Sequence, residues 1–188
     1  ENLRYEGYGP FNIAFIIETL TDNKNRSASS IRTVLQKNGG SLGESGSTAH
    51  MFNNCGVIQF EKKKLSEDEA FEIAINNGAK DCLNLKEFFK ITEEEAFEIA
   101  INAGARDCVN LKDFFEIVTE KEDFYKIKTE LEKKIHTFSY SAIEWRAINS
   151  VDLNKEQNEK TLEILSALEE LDDVQNIFTN ANLDNLQI

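Results

Sequence analysis

Cysteine and histidine are scarce: there are three Cys (Cys55, Cys82, Cys108), none in a C-x-x-C pair, and two His (His50, His136). That set builds neither a zinc site nor a disulfide framework, and it points to reduced thiols in an intracellular compartment. Long apolar runs are also missing. The longest is Ile13-Ala14-Phe15-Ile16-Ile17, with Glu18 directly behind it, far short of the ~18–20 residues that cross a bilayer. A soluble chain without membrane insertion is expected. Positive charge is short by a wide margin, the net charge being −13. A grip on duplex phosphate along the whole surface is excluded, because such binding needs clustered Lys/Arg to displace counterions. No nucleophile–base pair or metal constellation can be assembled from spacing. No catalytic residue, metal or cofactor is therefore assigned, and the chain is expected not to be an enzyme.

Apolar residues make up 40% of the chain and charged residues 29%, close to ordinary globular usage and far from the composition of disordered chains. The charge is unevenly placed. Residues 1–64 hold eight Lys/Arg against six Asp/Glu, and residues 65–188 hold thirteen against twenty-eight, giving +2 and −15. Any nucleic-acid contact is thereby directed to the first third.

Residues 13–21 are apolar and β-branched, end in the turn-forming Thr21-Asp22-Asn23, and predict a buried strand. From Ser27 the positions Ala28, Ile31, Val34 and Leu35 follow helical spacing, and Asn38-Gly39-Gly40 supplies a C-terminal stop. A glycine-rich loop then leads to predicted strands at 48–52 and 56–60, separated by a turn at Asn53-Asn54. Next comes a tandem repeat with a period of 26 residues: 69–91 aligns with 95–117 at 18 of 23 positions. Ser66-x-x-Glu69 and Thr92-x-x-Glu95 have the capping-box pattern, so each copy is expected to open as a helix. That helix closes at Gly78 or Gly104 and is followed by an extended stretch, 83–91 or 109–118. Two copies are too few for a solenoid, which points to a local duplication inside one domain. Thr119-x-x-Glu122 predicts a further cap before the stripe Phe124, Ile127, Leu131. Extended residues 138–145 follow, then a strand at Val151-Asp152-Leu153, a helix capped by Asn154 and Gln157, and a strand at 174–178.

The alternation β-α-β, inserted α/β block, β-α-β predicts an α+β protein of two ferredoxin-like (split β-α-β plait) domains, one inserted in the other. The boundaries expected are 1–56 plus 147–188 for a discontinuous plait domain, and 57–146 for the inserted domain with its duplication, about 66–91 and 92–117.

Three ordered motifs carry a resemblance. Tyr5-Glu6-Gly7-Tyr8-Gly9-Pro10 with Leu20-Thr21-Asp22-Asn23-Lys24-Asn25-Arg26 is the first. Lys37-Asn38-Gly39-Gly40-Ser41-Leu42-Gly43-Glu44-Ser45-Gly46-Ser47 with Met51-Phe52 is the second, and Leu168-Glu169-Glu170-Leu171-Asp172-Asp173-Val174-Gln175 the third. Together they resemble the second and third domains of the YebC family. That family includes bacterial transcriptional regulators or translation factors, and mitochondrial activators of cytochrome c oxidase subunit I translation. It usually reads Gly-Pro-Gly-Gly where this chain has Gly9-Pro10-Phe11-Asn12, has Pro at the place of Ala147, and carries the duplicated unit once. Its N-terminal helical domain is not in this chain, which is expected to be a truncated or processed form. The resemblance implies a translation-associated factor that binds the ribosome or mRNA in the mitochondrial matrix. The alternatives are a DNA-binding transcriptional regulator of the bacterial cytoplasm, with DNA the less favoured partner, and a structural subunit of a ribonucleoprotein.

Within that frame Lys24, Arg26, Arg32 and Lys37 are the candidate nucleic-acid or ribosome contacts, with Arg26 near a helix N-terminus. Tyr5 and Tyr8, together with Phe11, are candidate stacking faces or, more simply, loop anchors. Gly39, Gly40, Gly43, Glu44 and Gly46 form a candidate partner loop. It lacks the G-x-x-x-x-G-K-[ST] phosphate-cradling pattern, so nucleotide hydrolysis is not expected. The acidic second domain is a candidate surface for a protein partner.

Overall fold

The computed structural model describes residues 1–61, 93–111, 113–133, 135 and 138–183. The first repeat copy with Ser66, Gly78 and Cys82, the Thr92 cap and His136 lie outside the described residues. The chain is mixed α+β and divides into two compact units, Glu1–Asn54 with Trp145–Ile188, and Cys55–Glu144.

In the first unit β1 (Asn2–Tyr8) and β2 (Ala14–Leu20) form an antiparallel hairpin from Asn2↔Leu20 to Tyr8↔Ala14. The connection includes a short 3₁₀ turn, Pro10–Asn12, in which Phe11 and Asn12 both have positive φ, 63° and 62°. Both positions lie where the family pattern named above has glycine, the residue that adopts this backbone without steric cost. β3 (Ser41–Leu42) pairs with β1, and β9 (Val174–Thr179) pairs antiparallel with β2, giving the order β3-β1-β2-β9. Ile13 through Ile17 are all fully buried. Ile13, Phe15 and Ile17 pack on Ile31 and Leu35 of α1 (Lys24–Lys37) and on Ile164 and Leu168 of α4 (Lys155–Glu169). Ala14 and Ile16 face the other way, onto Phe52 and Trp145. A strand covered on both faces reads as a continuous apolar run, which is why this one was visible in sequence.

Helix α1 starts where the Asn23 side chain accepts from the Arg26 amide at 3.1 Å and ends in a Schellman turn. There Gly40 N–H donates to the Leu35 carbonyl, and Gly39 N–H (φ +80°) to that of Gln36. Helix α4 opens with the expected capping box, Asn154 and Gln157 each accepting the other's backbone N–H at 3.0 Å. β8 (Val151–Asp152) and β10 (Ala181–Asn182) make a short parallel pair.

The second unit holds the sheet β5-β6-β4-β7: β4 (Phe52–Glu61), β5 (Asp107–Asn110), β6 (Phe114–Glu120) and β7 (Tyr140–Ala147). β4 and β6 pair antiparallel from Cys55↔Glu120 to Glu61↔Phe114. Helices α2 (Glu93–Ala103) and α3 (Phe124–Glu132) supply Ala96, Ala100, Phe124, Ile127 and Leu131 to a core with Ile58, Phe60, Phe115 and Ile117.

Four local expectations change, and one strand was not expected at all. The opening Asn2–Tyr8 segment is a strand in its own right. Asn53 and Asn54 make no turn but lie inside β4, held extended between the buried Phe52 and Cys55; the strand at 48–52 is a 3₁₀ turn over Ala49–Met51. The stretch 109–118 is a hairpin, β5 to β6. Thr119 caps no helix: it is fully buried in β6 and its hydroxyl donates to the Glu120 carbonyl at 3.0 Å, while α3 begins at Phe124 without a side-chain cap.

Candidate interface on helix α1 and the glycine loop

β1 alternates its side chains, and the residues that its motif contributes are used inside the fold. The Tyr5 hydroxyl donates to the Lys24 carbonyl at 2.8 Å, and the Tyr8 hydroxyl to that of Ser47 at 2.7 Å. Both rings are partly buried. Burial raises the Tyr5 phenol above its ordinary value, against a lowering hydrogen bond with Ser27. These tyrosines therefore anchor helix α1 and the glycine loop to β1.

Between them Glu6 is 2% exposed and points into the loop. Its carboxylate accepts from the amides of Gly46 (2.9 Å), Thr48 (2.8 Å) and Ala49 (2.8 Å) and from the Thr48 hydroxyl (3.3 Å), with Arg4 Nε 3.3 Å away. Burial pushes this acid upward, but the three amides and Arg4 outweigh it and hold the carboxyl below its usual range. Gly46 has φ +88°, the left-handed turn that aims its N–H inward. A side chain at Gly40 would run into the Tyr8 carbonyl. Gly43 N–H donates to the Glu6 carbonyl at 2.8 Å, and Glu44 is exposed, its carbonyl accepting from Ser47 N–H. The loop is thus an anion nest whose anion is the protein's own carboxylate, and these inward amides are already taken.

On α1 the four basic residues are all exposed but not equivalent. Arg26 Nη2 lies 2.9 Å from Asp22 and 2.8 Å from Asp173. Asp173 also accepts from the hydroxyls of Ser27 (2.7 Å) and Thr21 (3.2 Å). The Ser27 hydrogen bond, then Arg26, lowers the Asp173 carboxyl, and Asp173 in turn raises the Arg26 guanidinium. A shallow cleft beside them, about 400 Å³, is lined by Glu170, Asp172 and Asp173 as well as Arg26, so this end of the helix does not present a net positive face. Lys24, Arg32 and Lys37 have no ion pair among the described residues. At about 100° and 1.5 Å per residue, Lys24 and Arg32 lie about 80° and 12 Å apart, with Lys37 about 140° round from both. They are spread round the helix and form neither a strip nor a cluster.

Glu6 and Asp173 are the residues that sequence reading passed over. Both stand inside the quoted motifs, but nothing local ties Glu6 to amides 40 to 43 positions away, or Asp173 to side chains 146 to 152 positions away. A similar long-range link places Arg4 over the Trp145 ring at 4.7 Å, while Trp145 Nε1 donates to Glu18 at 3.1 Å.

Comparison with known proteins matches this chain to the family described as TACO1/YebC second and third domain, over residues 1–92 and again over 83–181. A probable transcriptional regulatory protein of Pelagibacter ubique is 42% identical over 185 residues, covering 98% of this chain and 66% of its relative. A second, from Nitrosococcus oceani, is 36% identical over 182 residues, 97% of this chain and 63% of the relative. The crystal structure of a conserved hypothetical protein, Aq1575 from Aquifex aeolicus, is similar with a TM-score of 0.72 at 33% identity, covering 97% of this chain and 65% of that one. The chain spans just under two thirds of the length of these relatives. On these matches, which run over nearly all of its residues, the chain belongs to the TACO1/YebC family.

Proposed function

We propose that this chain is the second-and-third-domain part of a YebC-type regulator of gene expression that works by contact with nucleic acid and protein, not by catalysis. The observation that carries the reading is the 42% identity, across 98% of the chain, to a relative named a probable transcriptional regulatory protein. The nucleic-acid contact in this reading is drawn from Lys24, Arg32 and Lys37. Arg26 and Tyr5 hold α1 in place and Tyr8 holds the glycine loop, and the exposed Glu44 side of that loop, with Gly39 and Gly43, faces a protein partner. The acidic second unit repels phosphate and suits a protein partner as well. The plait-like description of both units belongs to this proposal, supported by the β-α-β order at each end of the first unit. The bacterial relatives favour the bacterial cytoplasm over the mitochondrial matrix.

One observation favours a second reading, a translation-associated factor on the ribosome or messenger RNA. The three α1 cations without an ion pair among the described residues are fewer than the roughly six to ten phosphate contacts of a strongly salt-dependent duplex binder, so they suit a supporting contact on a larger ribonucleoprotein surface.

The test is a salt series of fluorescence anisotropy with duplex DNA and with single-stranded RNA, alongside ribosome co-sedimentation, comparing wild type with Lys24→Glu/Arg32→Glu/Lys37→Glu. Loss of duplex binding, with the log–log salt slope falling by about 0.9 for each lost phosphate contact, supports the DNA regulator. Release from ribosomes alone supports the second reading. Unchanged behaviour in all three assays rejects these contacts.

A further inference from the structure

The sequence has two Asn-Gly pairs, Asn38-Gly39 and Asn77-Gly78, of which the second lies outside the described residues. Asn-Gly is the pair most open to deamidation, because glycine puts no side chain beside the attacking nitrogen. In that reaction the Gly39 nitrogen gives its proton to solvent base and bonds to Asn38 Cγ, and the side-chain nitrogen leaves as ammonia. Water then opens the five-membered imide at either carbonyl, leaving an aspartyl or an isoaspartyl residue. Nothing is oxidised or reduced, and water and hydroxide are the only co-reactants.

In this chain the pair sits in the turn that ends α1, and three hydrogen bonds hold it away from that chemistry. The leaving amide, Asn38 Nδ2, donates to the Val34 carbonyl at 2.9 Å. The attacking group, Gly39 N–H, donates to the Gln36 carbonyl at 3.2 Å, and Gly40 N–H closes the turn on the Leu35 carbonyl at 2.8 Å. Asn38 has ψ 14°, whereas ring closure needs Cβ and the Gly39 nitrogen eclipsed about the Cα–C bond. Access of water is no barrier: Gly39 is exposed, with open space where a Cβ would stand. The reaction therefore waits on rotation of Asn38, and helix ends are where such openings cost least.

We propose that Asn38 is a modification site whose deamidation is gated by the α1 Schellman turn and, once done, keeps that turn from closing again. In either product the Val34 carbonyl loses its donor and faces a carboxylate. That carboxylate stands at the end of the helix where negative charge opposes the dipole. The isoaspartyl form also lengthens the main chain by one methylene ahead of Gly39, so the amides of Gly39 and Gly40 no longer reach Gln36 and Leu35. The turn runs straight into β3, and its loss loosens the root of the glycine loop. It also sets a negative charge beside Lys37, on a helix with four bases and no acid.

The test incubates the full chain in mildly alkaline buffer, with and without urea, and follows conversion at Asn38 by peptide mass spectrometry. Native conversion is expected to be slower than in urea by at least about tenfold, and this factor should equal the hydrogen-exchange protection of the Gly40 amide within about threefold, since both report one opening. Gly40→Ala, whose Cβ would run into the Tyr8 carbonyl, should bring the native rate most of the way to the urea rate. The converted chain, separated by its extra charge, should lose protection at Gly39 and Gly40 while β2 stays protected. Native conversion at the urea rate, or a slowing that disagrees with Gly40 protection, overturns the gate, and neither reading depends on a variant that folds. A folded Gly40→Ala chain that converts no faster than wild type overturns it too. Normal protection of Gly40 in the converted chain overturns the claim that the turn stays open.

Discussion

The glycine loop of the first unit and the β5–β6 hairpin of the second are both tight connections, yet they are held by opposite means. The loop closes on a buried carboxylate, with three amides and a hydroxyl converging on Glu6. The hairpin closes on apolar side chains, Cys108, Phe115 and Ile117. A charge-centred loop depends on one group and fails locally when that group is lost. An apolar hairpin shares its stabilisation among many weak contacts.

The largest effect that would break this comparison is at Glu6. Glu6→Ala leaves three inward amides without an acceptor and is expected to destabilise the first unit by about 3–5 kcal/mol, the range for removing one partner of a buried charged pair. Urea unfolding measures the loss, and hydrogen exchange should show it concentrated at Gly46, Thr48 and Ala49. Ile117→Ala, in the hairpin, is expected to cost about 2–5 kcal/mol, with the increased exchange spread across β4, β5 and β6. Equal spreading in both variants would remove the distinction.

Acid sharpens the same contrast. Glu6 is depressed below its unfolded value, so the unfolded chain takes up its proton first on acidification. Its contribution is fully present above about pH 4.3, the unfolded carboxyl value, and is lost as pH falls through the lower folded value. Stability of the wild type should therefore fall in that acid window, and Glu6→Gln should flatten this part of the pH profile. In the hairpin, by contrast, burial first, then Asp107 and Glu93, pushes the Cys108 thiol up to about 11. Alkylation at pH 8.5 should then be slower at native Cys108 than in urea by roughly two orders of magnitude, since the thiolate is the reactive form. Fast native labelling would mean that the hairpin opens readily.

The smallest effect concerns Arg26 and its two carboxylate partners, Asp22 and Asp173. Asp22→Asn/Asp173→Asn should free Arg26 and steepen the salt slope of any nucleic-acid binding by about one phosphate contact. Arg26→Ala should leave that slope unchanged, because its charge is already matched by Asp22 and Asp173.

Sequence was informative where the governing interactions are local. The Ile13–Ile17 run, the Asn38-Gly39-Gly40 stop and the Asn154/Gln157 box depend on neighbours within a few residues, and each is realised. Asn53-Asn54 and Thr119 were misjudged because burial overrode their local preferences for turn and cap. The site was less legible. The basic residues of α1 were visible as letters, but that Arg26 is engaged and Lys24, Arg32 and Lys37 are not depends on Asp173, nearly the whole chain away. Likewise the glycines marked a loop, and only Glu6 explains which way its amides face.

The place of β2 in its sheet bears on how the molecule is made. β2 is flanked by β1, which precedes it directly, and by β9, which ends at Thr179. During synthesis, N-terminal end first, the edge that receives β9 stays open until residue 179 has emerged, long after all of Cys55–Glu144 is available to fold. The inserted unit can therefore mature on a growing chain, whereas the first unit closes only after β9 has emerged. Until then its most apolar strand is an unpaired edge, the kind of exposure from which nascent chains aggregate or recruit chaperones.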